Sequence, residues 1–118
     1  MAETGNLQID SHGDVAVVYA PNYINADGGE QIGAAASGLL GQGVSRIVLD
    51  LNDCALANSV GISFLIEVLE SVKDAGGHLA FCCVSPTIAK TLQIMGLLQS
   101  ATLHEAQDEA VKRARGDA

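Results

Sequence analysis

The chain has 118 residues, 48% of them hydrophobic and 17% charged, with no Trp, which bounds it to one compact domain of about 100–150 residues. At this length a chain buries about two-thirds of the surface it exposes when unfolded, so a core forms without disulfides or a structural metal. Six Lys and Arg against fourteen Asp and Glu leave a formal net charge of −8, the wrong sign for a surface that neutralises the phosphates of DNA or RNA and one that favours a monomer or weak dimer.

Leu7 to Asp10 is placed to pair, across the turn His12-Gly13-Asp14, with the β-branched run Val15 to Ala20, which reads as a buried strand ending at Pro21-Asn22. Asp27 followed by Glu30 resembles a capping box and starts a helix to Gly41, with Ile32, Ala35, Ala36, Leu39 and Leu40 at helical spacing. Arg46 to Leu51 is a second apolar strand and opens into a loop, Asn52 to Asn58. The helix 60–75 carries Ile62, Leu65, Ile66, Leu69 and Val72 on one stripe, with Glu67, Glu70, Ser71 and Lys73 opposite and Gly76-Gly77 as its stop. His78 to Val84 is a third strand, in which Cys82 and Cys83 are expected to point to opposite faces. Ser85-Pro86 then supplies an N-cap and an N1 proline for a helix with Ile88, Leu92 and Met95 on one face, ended by Gly96. A short strand at Ala101 to Leu103 precedes a surface helix to about Arg115, where Asp108 and Lys112, and Glu109 and Arg113, have i,i+4 spacing.

This alternation predicts an α/β layer: a mostly parallel central sheet of four to five strands with about four helices against it. The whole span 1–118 reads as a single domain with frayed ends at 1–6 and 116–118. No apolar run reaches the length of a membrane span, and Met1 to Asp10 lacks the basic start and apolar stretch of a signal peptide, so no direct membrane insertion and a cytoplasmic location are expected. The odd cysteine count fits thiols in a reducing compartment. Cys54, Cys82, Cys83 and the three histidines, 12, 78 and 104, have no metal-ligand spacing, so no metal is expected.

In open α/β sheets, functional groups gather at the carboxyl ends of strands, which directs attention to the segment Asp50 to Ile62. Asn58 or Ser59 is a natural N-cap for the helix that follows. A phosphate-binding loop is excluded, because neither G-x-x-x-x-G-K-S/T nor G-x-G-x-x-G is present. Ala57-Asn58-Ser59-Val60-Gly61 matches a nucleophile elbow apart from its first residue. A hydrolase, however, also needs an acid, a histidine and an acyl pocket, and His78 and His104 are the only downstream histidines. A regulated serine fits better: a phosphate on the first turn gains from the free N–H groups and the positive end of the helix, and adds about −1.5 to −2 charge to a surface already acidic at Asp50 and Asp53.

Val48-Leu49-Asp50-Leu51, Asn58-Ser59-Val60-Gly61-Ile62, Gly76-Gly77-His78, Ser85-Pro86 and Gly96-Leu97-Leu98 together resemble the sulfate transporter and anti-sigma factor antagonist (STAS) domain, over about Leu7 to Ala110. The resemblance implies the STAS fold and a bacterial anti-sigma factor antagonist, non-enzymatic and without a cofactor. Such a protein binds an anti-sigma factor that is also a serine protein kinase, is released when that kinase phosphorylates it with ATP, and is restored by a phosphatase. It places the phosphoacceptor at Ser59 and the partner surface on the helix 60–75 and the turn before the first helix, with Asn25, Asp27, Asn58, Val60 and Gly61 as partner-binding residues. Three departures stand out. Asn58 replaces the family's Asp before the acceptor, Val60 replaces a second hydroxyl present in many relatives, and Pro21-Asn22-Tyr23-Ile24-Asn25 replaces the family's Gly-x-Leu-Asp turn. The alternative is a STAS module that binds constitutively within a sensory scaffold or a membrane transport system, and after it a small serine hydrolase.

Overall fold

The computed structural model describes residues 7–116. In chain order these form β1 (Ile9–His12), β2 (Val15–Tyr19), β3 (Tyr23–Ile24), α1 (Ala26–Gly41), β4 (Arg46–Asp50) and β5 (Leu56–Ala57). Then come α2 (Ser59–Asp74), β6 (His78–Cys82), α3 (Pro86–Ile94), a 3-10 turn (Leu97–Gln99), β7 (Thr102–His104) and α4 (Gln107–Arg115). The main sheet has the order β1-β2-β4-β6-β7, with β1 antiparallel to β2 and every later pairing parallel. The mostly parallel sheet and the four α-helices agree with the expectation from sequence.

The central strands are continuous apolar runs because both of their faces are covered. Ala16, Val18, Ile47, Leu49, Leu79 and Phe81 face a core shared with Ile32, Ala35 and Leu39 of α1, Ile62, Leu65 and Val72 of α2, and Ile88 and Leu92 of α3. The alternate residues Val15, Val17, Val48, Ala80 and Cys82 pack against Ala110, Val111 and Ala114 of α4. Period-2 alternation thus sends one strand's side chains into two separate cores. Arg46 at the start of β4 donates through Nη1 to the Ala114 carbonyl at 2.7 Å, holding the C-terminal end of α4 to the sheet.

Several boundaries differ from the sequence expectation. Helix α1 is capped by Asn25, whose extended backbone (φ −101°) lets its side chain accept from the Gly28 amide at 2.8 Å. Asp27, expected as the cap, lies inside the first turn and accepts from Gln31 Nε2 at 3.1 Å. The loop Asn52 to Asn58 contains β5, which pairs in parallel with β3 in a second, two-stranded sheet. The third strand stops at Cys82, because Cys83 adopts a left-handed conformation (φ +61°). That turn brings Cys83 against the α4-side core that also holds Cys82, so the two side chains do not diverge to opposite faces. Met95 is the C-cap residue of α3 and is 44% exposed, off the buried stripe made by Ile88 and Leu92. Of the expected frayed ends, 1–6 and 117–118 lie outside the described residues, whereas Gly116 is the C-cap of α4, with φ +95°. No helix among the described residues is long and apolar enough to cross a membrane.

Candidate functional site

The surface around Ser59 is assembled from two distant segments. Tyr23 lies opposite Leu56, and Ile24 opposite Ala57. The Ala55 amide donates to the Asn22 carbonyl at 2.8 Å, and the Asn58 amide to the Ile24 carbonyl at 3.0 Å. This small ladder holds the starts of α1 and α2 side by side at the carboxyl edge of the main sheet.

Two glycines make the approach possible. A Cβ on Gly61 would overlap the Ile24 carbonyl, and one on Gly28 would overlap the Tyr23 carbonyl. β3 is therefore clamped between the first turns of both helices, and only residues without a side chain allow that spacing. Gly61, expected from the family resemblance at the partner surface, is buried in the first turn of α2 and faces no solvent.

The N-cap of α2 is Asn58. Its Oδ1 accepts from the Gly61 amide at 2.8 Å, and its Nδ2 donates to the Tyr23 hydroxyl at 3.3 Å. Ser59 follows at the first helical position, exposed, and its hydroxyl makes no hydrogen bond among the described residues. The sequence left the capping role open between the two; the geometry gives it to Asn58. Replacing Asn58 by Ala is expected to cost about 1 kcal/mol in urea denaturation. Asn58→Asp keeps the acceptor and adds charge at the positive end of the helix, so its stability should equal or exceed that of wild type by up to about 1 kcal/mol.

Around the hydroxyl lie large apolar side chains exposed to solvent: Leu56 at 59%, Val60 at 50% and Tyr23 at 40%. Asp27 is exposed on the neighbouring helix start, while Asn25 is half-buried with its side chain committed to the cap. Val60 and Asp27 thus both face solvent. Tyr23 and Leu56 were not singled out from sequence, although large apolar residues in an otherwise polar loop are the signal that marks them.

Asp50, at the end of β4, is buried at 5% exposure. Its carboxylate accepts from the Asn52 amide and from Gln107 Nε2, both at 2.8 Å. Gln107 also reaches the Tyr19 hydroxyl at 3.1 Å, which in turn donates to Asp10 at 2.8 Å. This chain of bonds satisfies a buried carboxylate and fastens the start of α4 to the sheet. The Asp10 carboxylate that accepts the Tyr19 proton is the main cause of a phenol pKa above its ordinary value.

Among the described residues, no base is hydrogen-bonded to the Ser59 hydroxyl. His78 opens β6, at the strand end opposite the Ser59 edge, and its Nε2 lies 2.8 Å from Thr102 Oγ1. His104 shares the same hydroxyl at 2.9 Å. Burial is the first cause of a lowered His78 pKa, with Arg113, His104 and Arg46 adding to it.

The STAS domain model matches residues 6–110. A Thermotoga neapolitana protein of the anti-sigma factor antagonist class is 25% identical over 77 residues, 65% of this chain and 68% of that protein. The crystal structure of a Thermotoga maritima protein of the same class superposes with a TM-score of 0.83 at 19% identity, covering 96% of this chain and 98% of that one. The Bacillus cell fate determinant SpoIIAA, solved in its phosphorylated form, gives a TM-score of 0.72 at 21% identity, covering 91% and 97%. The STAS match at residues 6–110 spans most of the chain, and the chain belongs to the STAS domain family.

Proposed function

We propose that this chain is an anti-sigma factor antagonist: a non-enzymatic, cytoplasmic switch protein whose complex with an anti-sigma factor kinase is broken by phosphorylation of Ser59. The observation that carries this reading is the freedom of the Ser59 hydroxyl. It is exposed, relieved of capping by Asn58, and set beside the apolar surface of Tyr23, Leu56 and Val60. The kinase transfers the terminal phosphoryl group of ATP to Ser59 Oγ, the hydroxyl proton leaves, and ADP is released. The product dianion lies against the first-turn amides that Asn58 does not claim, where the helix favours negative charge. A phosphatase hydrolyses the ester and restores the binding form. Tyr23, Asp27, Leu56, Asn58 and Val60 form the partner surface, and Asn25 and Gly61 hold it in shape. A named relative class of anti-sigma factor antagonists and a phosphorylated structural neighbour support the assignment.

The test is incubation with the co-encoded kinase and ATP, followed by peptide mapping in a mass spectrometer. One phosphate on the peptide containing Ser59, absent in Ser59→Ala, is the expected result. A kinase that binds the chain yet leaves Ser59 unmodified would overturn the switch and make the chain a constitutive binding module.

A further inference from the structure

On the opposite side of the sheet from α2, beneath α4, Asp50, Cys82 and Cys83 bring one carboxylate oxygen and two thiol sulfurs within 4.8 Å of one another. This is the one such grouping among the described residues. We propose that it is a binding site for a thiophilic divalent cation of the zinc class, held by Cys82 Sγ, Cys83 Sγ and Asp50 Oδ2.

Three observations carry the proposal, and none depends on the partner switch. The first is spacing. Two sulfurs that share a tetrahedral zinc ion at about 2.3 Å each lie about 3.8 Å apart, and the three ligand atoms here already lie within 4.8 Å of one another. The second is the backbone. Cys83 is the one non-glycine residue with positive φ among the described residues, at +61°. In an extended strand its side chain would point away from Cys82, and the left-handed turn is what gathers both sulfurs on one side. Strain of this kind gathers at functional positions. The third is the support around the carboxylate. Gln107 Nε2 donates to Asp50 Oδ2 and the Asn52 amide to Oδ1, both at 2.8 Å, which fixes its orientation as outer-shell groups do in metal centres. Cys83 Sγ already lies 3.8 Å from Oδ2.

Cys82 is fully buried, while Cys83 is half-buried and gives the ion its way in. Binding releases the two thiol protons to solvent, and the ion sheds water as it takes two thiolates and a carboxylate; no electron is transferred. Thiolate ligands select zinc-class ions over magnesium or calcium. Because each thiol gives up its proton to the ion's binding, affinity rises with pH.

The test is titration of the full chain with Co2+, a spectroscopic substitute for Zn2+, in a phosphine reductant that does not ligate through sulfur. The expected result is one equivalent bound, with a thiolate-to-cobalt charge-transfer band in the near ultraviolet that Zn2+ abolishes. Cys83→Gly removes one ligand and also relieves the positive-φ backbone, so it folds at least as well as wild type, and it should lose the band. Cys54→Ala, whose thiol lies in the other core, should keep it. A saturable band that persists in Cys83→Gly, a band lost in Cys54→Ala, or no saturable band at all would overturn the assignment.

Discussion

Gly61→Ala is expected to destabilise the fold by about 3 kcal/mol, the upper end of what overpacking typically costs. The added methyl meets the Ile24 carbonyl carbon and oxygen, which are backbone and cannot rotate away, and the Ile24 side chain behind them. Relief requires α2 to withdraw from β3, breaking the bond from the Asn58 amide to Ile24 and loosening the Tyr23 and Leu56 pair. Thermal unfolding should fall by roughly 10–15 °C. Gly33→Ala is the matched control. A Cβ there meets only Phe64 at 3.9 Å, so the ordinary helix preference for Ala over Gly should leave it neutral or up to about 1 kcal/mol more stable. A Gly61→Ala protein melting within about 2 °C of wild type would show that the start of α2 is free to move.

Ser59→Asp is expected to weaken the proposed complex with an anti-sigma factor kinase by about a hundredfold or more, equivalent to about 2.8 kcal/mol. The new carboxylate would be desolvated among Tyr23, Leu56 and Val60 on binding, and an unpaired charge in such a setting costs several kcal/mol. The free protein should be unharmed, because a carboxylate on the first turn of α2 is favoured by the helix dipole. Ser59→Ala, which removes a hydroxyl with no internal bond, should bind within about threefold of wild type, as a surface change away from special features does. Isothermal titration calorimetry on the three proteins reads all of this. Equal affinities for Ser59→Asp and wild type would mean that the partner docks elsewhere.

The three long apolar runs at 15–19, 46–50 and 78–82 were legible because strands buried on both faces need no polar alternation. The Ser85-Pro86 start was legible as well, since its cap chemistry is local, with Ser85 accepting from Ile88 at 3.3 Å. What the sequence did not disclose depends on tertiary contact. β3 and β5 have two residues each, too few to show a period, and each exists only because the other does. The choice of Asn25 over Asp27 as cap follows from that pairing, which sets the extended backbone just before α1. Cys83 looked like the continuation of a strand, and nothing in a run of apolar residues announces a left-handed turn. Ser59 was legible as a position, but its freedom from capping was not, because two adjacent residues both had suitable side chains.

The pairing of β3 with β5 bears on how the proposed kinase would recognise Ser59. Tyr23 and Leu56 lie far apart in the chain, separated by α1 and β4, and meet through the pairing of β3 with β5. A short peptide spanning Ser59 would carry the proposed acceptor and its sequence context but none of the facing segment. An enzyme that grips Tyr23 and Leu56 together therefore reads a conformational epitope, not a linear motif, and its selectivity doubles as a check that the chain is folded.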